Sequence, residues 1–134
     1  MSEQEAVLAA NRAFYAAFST RDMAAMEAVW ARTASVTCVH PGWAVLFGRA
    51  DVLASWRRIF GDPDAPDVRL RNARAHMFDD LAYVVCVEDI GGASLVATNI
   101  FAPEDGAWKL VHHQAGLMAD LSEAPPEPGS GTLH

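Results

Sequence analysis

Apolar positions in the first third of the chain recur at helical spacing. Val7, Asn11, Phe14 and Phe18 stand at i, i+4, i+7 and i+11 with alanines between them, which predicts a helix over 4–19. Ser19 or Thr20 closes it, and Asp22 stands near the start of a second helix, where Met26 and Trp30 are i, i+4 neighbours. The pattern then changes. Residues 34–40 carry β-branched side chains and predict a short strand, stopped by Pro41-Gly42. Residues 43–48 predict a loop whose large apolar groups, Trp43, Val45, Leu46 and Phe47, should fold over core or ligand rather than lie in water. A third helix, about 50–60, gathers Val52, Trp56, Ile59 and Phe60 on one face and ends at the Gly61–Pro66 breaker. Strands follow at roughly 67–78, 81–90, 93–102 and 107–115, joined by turns at Asp79-Asp80, Gly91-Gly92 and Pro103–Gly106. Helices first, then hairpin-linked strands, is an α+β order. It predicts three helices packed on a curved antiparallel sheet, a cone with an apolar interior.

Composition narrows this. The 134 residues fit one domain, taken as 1–119; residues 120–134, rich in Pro, Gly, Ser and Glu, predict a disordered tail. A hydrophobic share of 51% supplies a core without metal or disulfide staples. The net charge of −7 opposes nucleic acid and anionic membrane as partners. Arg69, Arg71 and Arg74 run against that balance and read as a solvated or interface face. Cys38 and Cys86 sit in apolar β-like runs, where a thiol packs as a small hydrophobe; a bridge between them stays open. The acidic start, Met1 to Glu5, carries no signal peptide and no run approaches a membrane span, so a cytoplasmic location is expected.

A short strand ending His40-Pro41-Gly42, an apolar loop, Gly48-Arg49 opening a helix with Trp56, and long strands ending Trp108-Lys109-Leu110-Val111-His112-His113 resemble the SnoaL-like, nuclear transport factor 2-like group. Ketosteroid isomerase belongs to the same group, and the likeness covers about residues 4–118. It implies a cystatin-like α+β roll, a pocket inside the cone for a small molecule, and a homodimer through the outer sheet face. It does not fix the function, because one fold hosts many chemistries. The isomerase itself needs a carboxylate base and two acid donors around an enolate. Here His40 stands at the base position. Counting back from Asp22 to the phenol position reaches Phe14, with Tyr15 rotated about 100° from it. No carboxylate falls near 97–99. That constellation reads as absent.

The candidate chemistry rests on a few polar residues in apolar runs. His40 titrates near neutrality and suits a general acid or base, or it steadies the Pro41-Gly42 turn. Strict alternation puts Trp108, Leu110, His112 and Gln114 on one face, which the resemblance places inside, and sends His113 outward with Lys109 and Val111. His40 and His112 are therefore the expected catalytic pair. Glu88 and Asp89 are consecutive, so only one faces inward; the uniformly apolar Tyr83–Val87 run does not decide which, and Glu88 is carried as the candidate. Asn99, mid-strand, needs a partner. Trp43, Trp56 and Trp108 are candidate ligand-packing aromatics beside Glu88, Asn99 and Gln114. No spacing supports a metal site and no cofactor motif occurs. The expectation is a small-molecule-binding domain, with cofactor-independent acid/base chemistry on a neutral hydrophobic substrate if it is an enzyme. The alternative is a non-catalytic ligand-binding or protein-interaction module.

Overall fold

In a computed structural model, which describes residues 1–119, nine elements follow in order. They are α1 (Glu3–Thr20), α2 (Met23–Val29), β1 (Thr37–Val39), β2 (Leu46–Phe47), α3 (Arg49–Phe60), β3 (Val68–Met77), β4 (Ala82–Ile90), β5 (Ala93–Glu104) and β6 (Ala107–Leu117). The predicted tail, 120–134, lies outside the described residues.

Helix α1 is N-capped by Ser2, whose hydroxyl accepts from the Glu5 amide, with Glu3 and Glu5 in its first turn to suit the helix dipole. It stops at Arg21, which takes the left-handed conformation and returns its amide to the Ala17 and Phe18 carbonyls. Asp22 caps α2 as expected, but α2 ends at Val29. Trp30 is extended and bridges to Leu110, so its burial comes from the sheet edge rather than a helix face. Arg49 clamps this junction: its guanidinium donates to the carbonyls of Glu27, Trp30 and Ala31 at 2.8–3.0 Å.

The six strands run β2-β1-β6-β5-β4-β3. The expected antiparallel sheet is in fact mixed, because β1 lies parallel to β6 (Cys38 opposite His113) while the other pairs are antiparallel. The Gly91-Gly92 turn needs both residues at positive φ, 56° and 84°, the reason glycine stands at each. Residues 46 and 47, expected as loop, form β2 against β1. The loop does not bury its bulk as predicted: Phe47 is 68% exposed and Val45 45%.

The core fills the space between α1, α2, α3 and the inner sheet face. Phe14, Met26, Trp30, Trp56, Phe101 and Leu110 are fully buried there. Cys38 and Cys86 are both buried and free, on strands separated by β6 and β5.

Candidate functional site

Within this apolar core lies a closed group of polar side chains. Asn11 and Tyr15 come from α1, one turn apart on the face turned to the sheet. Glu88 enters from β4, Asn99 from β5 and His113 from β6, and none of these five is more than 4% exposed. The sheet sets their register: Asn99 stands directly opposite His113, and the inward alternation Ala82, Val84, Cys86, Glu88 of β4 chooses Glu88 over Asp89. Asp89 faces out and pairs with Arg71 at 2.7 Å.

Alternation misassigned β6. Between Leu110, opposite Phe101, and His112, opposite Ile100, the strand carries one extra residue, Val111. Such a bulge reverses the facing of everything beyond it. Leu110 and His113 both point inward, while His112 and Gln114 lie outside. There His112 Nδ1 is 2.6 Å from Thr37 Oγ1, and Nε2 is 3.3 Å from Gln114 Oε1. The inner histidine is therefore His113, the reverse of the sequence-based assignment. Trp108, before the bulge, is only half-buried and gives its indole N–H to Glu3 at the cone's edge.

Hydrogen-bond bookkeeping fixes the protons. Asn99 Nδ2 donates to Asn11 Oδ1 (2.9 Å) and Tyr15 Oη (3.1 Å), leaving Asn99 Oδ1 as an acceptor 2.6 Å from His113 Nδ1. His113 must then carry its hydrogen on Nδ1, with a lone pair on Nε2. That lone pair faces Glu88 Oε2 at 3.8 Å, and the same oxygen accepts the Tyr15 hydroxyl at 2.5 Å. Burial, then the charges of His40 and His112, pushes the His113 pKa down to about 3. Burial pushes Glu88 up, with the Tyr15 bond opposing it, and Tyr15 also up. The 3.8 Å pair would be an ion pair were His113 protonated. Desolvation instead leaves a neutral imidazole facing a carboxyl that favours its proton. Asn11 Nδ2 is buried with no hydrogen-bond partner among the described residues.

His40 sits beside this group, its ring centroid 6.4 Å from that of His113. Ser55 gives its only hydrogen to the Val52 carbonyl (2.6 Å), so His40 donates from Nε2 to Ser55 Oγ (2.8 Å). Burial lowers its pKa to about 4. Its ring meets Trp43 edge-on at 4.8 Å and Trp56 at 4.7 Å. The expected set thus divides. His40, Trp43, Trp56, Glu88 and Asn99 gather around the inner group, whereas His112, Gln114 and Trp108 do not. Tyr15, Asn11 and His113 were missed, Tyr15 because α1 buries a wider stripe than its i, i+4 pattern marks. Among the described residues no three His, Cys, Asp or Glu side chains group as a metal site requires, and no helix is long and apolar enough to cross a membrane.

Comparison with known proteins gives the same architecture. A family model described as the SnoaL-like domain matches residues 7–120. The F-box protein SKIP8 of Arabidopsis thaliana is 26% identical over 115 residues, 84% of this chain and 50% of its own length. The chain thus spans about half the length of that curated relative. Among solved structures, a proposed dehydratase of the NTF2-like family from Streptomyces avermitilis is 32% identical with a TM-score of 0.79, over 88% of this chain and 97% of that one. A proposed calcium/calmodulin-dependent protein kinase type II association domain from Thiobacillus denitrificans is 34% identical with a TM-score of 0.74, over 83% and 94%. With its helices packed on a curved, unclosed sheet and the family model covering most of its length, the chain belongs to the SnoaL-like domain family.

Proposed function

We propose that the chain binds a small, neutral, largely hydrophobic molecule in the cone and can perform cofactor-independent acid/base chemistry on it. The observation that carries this reading is the buried Tyr15–Glu88–His113–Asn99 network. Apolar residues of similar volume would hold a core at equal or lower cost than such a group, so its presence calls for another reason. In the roles this implies, His113 Nε2 accepts a proton, the Glu88 carboxyl donates to a developing oxyanion with the Tyr15 hydroxyl bonded behind it, and Asn99 holds the imidazole tautomer. His113 holds the role that strict strand alternation assigns to His112, and His40 is the second proton carrier, at the entrance. The proposed dehydratase among the relatives is consistent with chemistry of this type.

A second reading is an interaction module, in which the interior is purely structural and the outer sheet face binds another copy. Val96 (40% exposed) and Leu117 (80% exposed) favour it, as does the relative described as an association domain. A homodimer through this face is compatible with either reading. A thermal-shift screen against metabolites and hydrophobic small molecules, run on wild type and Glu88→Gln, separates them. Stabilisation by a compound that the variant weakens supports the inner site. A flat screen on a folded dimer supports the module.

A further inference from the structure

The inner group is closed, so a ligand needs a way in. Two surface clefts, of about 620 and 230 Å³, share Trp43 and Arg58 in their lining. The indole and the guanidinium are therefore a wall that the two clefts have in common. Ser55 lines the smaller cleft, and its hydroxyl is the one bonded to His40, whose ring Trp43 touches, so this shared wall stands beside the outermost member of the site.

Trp43 is held differently from the other aromatic residues nearby. Trp56 and Phe14 are fully buried and locked by several ring contacts. Trp43 is half-buried on the segment between β1 and β2, and its indole makes no hydrogen bond among the described residues. Its ring makes a T-shaped contact with His40 at 4.8 Å, and the Arg58 guanidinium lies over it, 5.2 Å from the ring centroid. The backbone beside it is a turn with Gly42 at φ 80°, closed by the Trp43 amide on the His40 carbonyl at 2.9 Å, so any re-aiming of the indole falls to its side-chain torsions. Arg58 forms no ion pair among the described residues, so that contact is its principal tie.

We infer that Trp43 is the door of the inner site, and that its indole occupies the seat of the ligand's flat apolar portion. When the indole swings out, the two clefts join into one channel floored by His40 and Ser55. A planar ring entering there finds what the indole leaves: the cationic face of Arg58 above and the imidazole edge of His40 beside it. The ligand class is therefore aromatic or conjugated rather than a flexible aliphatic chain. The ligand assignment rests on the binding role proposed above; the door does not.

The test needs no knowledge of the natural ligand. Full-length protein is treated with diethyl pyrocarbonate and the modification rate of each histidine is read by peptide mapping, with exposed His76 as the internal standard. Trp43→Ala should speed modification of His40 by about tenfold relative to His76, with His113 lagging well behind, as local opening predicts. Arg58→Gln, which leaves the core untouched, should give a smaller rise at His40 alone. Indole added to Trp43→Ala should restore slow modification in a saturable way. An unchanged His40 rate in both variants overturns the door, and so does equal acceleration of His40 and His113, which signals global unfolding. Acceleration that indole does not reverse overturns the ring seat. None of these results depends on whether the metabolite screen finds a ligand, so failure of the door and failure of the binding role remain distinct.

Discussion

The proton positions in the inner group can be tested through the pH dependence of stability. His40 and His113 fold with pKa values lowered to about 4 and about 3. Between those values and the unfolded value of about 6.5 the unfolded chain binds more protons than the folded one, so stability rises with pH and is lost as pH falls. At pH 5 an unfolded histidine gains about 2 kcal/mol from protonation that a buried neutral one cannot take up. The pair therefore removes about 4 kcal/mol of stability between pH 7 and pH 5, a large share of what a small domain has. Glu88 works the other way. Burial raises its pKa in the fold, so wherever the folded carboxyl holds more proton than the unfolded one its contribution improves as pH falls and offsets the histidines in part. For that reason the decisive measurement is a difference. His113→Asn keeps an amide that can donate to Asn99 but removes the titration. Urea unfolding at pH 7, 6 and 5, each protein compared with itself, should show a pH 7-to-5 loss about 2 kcal/mol smaller in the variant than in wild type. The fixed cost of the substitution cancels. An equal loss in both would refute the reasoning: His113 would then be charged in the fold and paired with Glu88 across the 3.8 Å gap.

Other consequences can be checked separately. Tyr15→Phe removes the hydroxyl that lowers the Glu88 pKa, so the carboxyl should titrate higher by NMR and urea unfolding should show a loss of about 1–3 kcal/mol. Arg49→Ala strips the clamp from three carbonyls and should cost about 2–3 kcal/mol; Arg49→Lys, lacking the fork, should recover little of it. Deleting Val111 removes the extra residue while leaving Leu110 and His113 inward. The fold should persist with His113 still protected from diethyl pyrocarbonate, and exposure of His113 would contradict the bulge assignment. Val96→Lys on the outer face should yield folded monomers by sedimentation if that face holds a homodimer, and an unchanged dimer would move the interface elsewhere.

Much of the fold was legible because its signals are local. The Val7, Asn11 and Phe14 spacing, the Asp22 cap, the Gly61–Pro66 stop and the paired glycines at 91–92 each act within a few residues. The site was legible only in part, because its members depend on choices the local pattern does not carry. Lys109-Leu110-Val111-His112 contains no glycine or other mark of a bulge, yet that extra residue exchanges His112 for His113. Glu88 and Asp89 differ only in facing, and a strand that is apolar on both sides gives alternation nothing to register. Tyr15 stands one helical position, about 100°, from Phe14, and spacing alone gives no sign that both positions face the core. With β3, β4, β6 and α2 all packed around α1, both Phe14 and Tyr15 lie in the core.

The parallel pairing of β1 with β6 bears on how the protein acquires its site. Strands β3 to β6 form a meander in which each pairing needs only a tight turn, and such local contacts form early. Thr37 and His112 are 75 residues apart, so the pairing that brings His40 beside His113 must close a long loop before any contact rewards it. The two histidines should therefore meet late in folding. The short β1–β2 arm is also the part that can peel away while the meander stays intact. Hydrogen exchange should find it among the least protected strands, with the half of the site it carries open more often than the half built on β4 and β5.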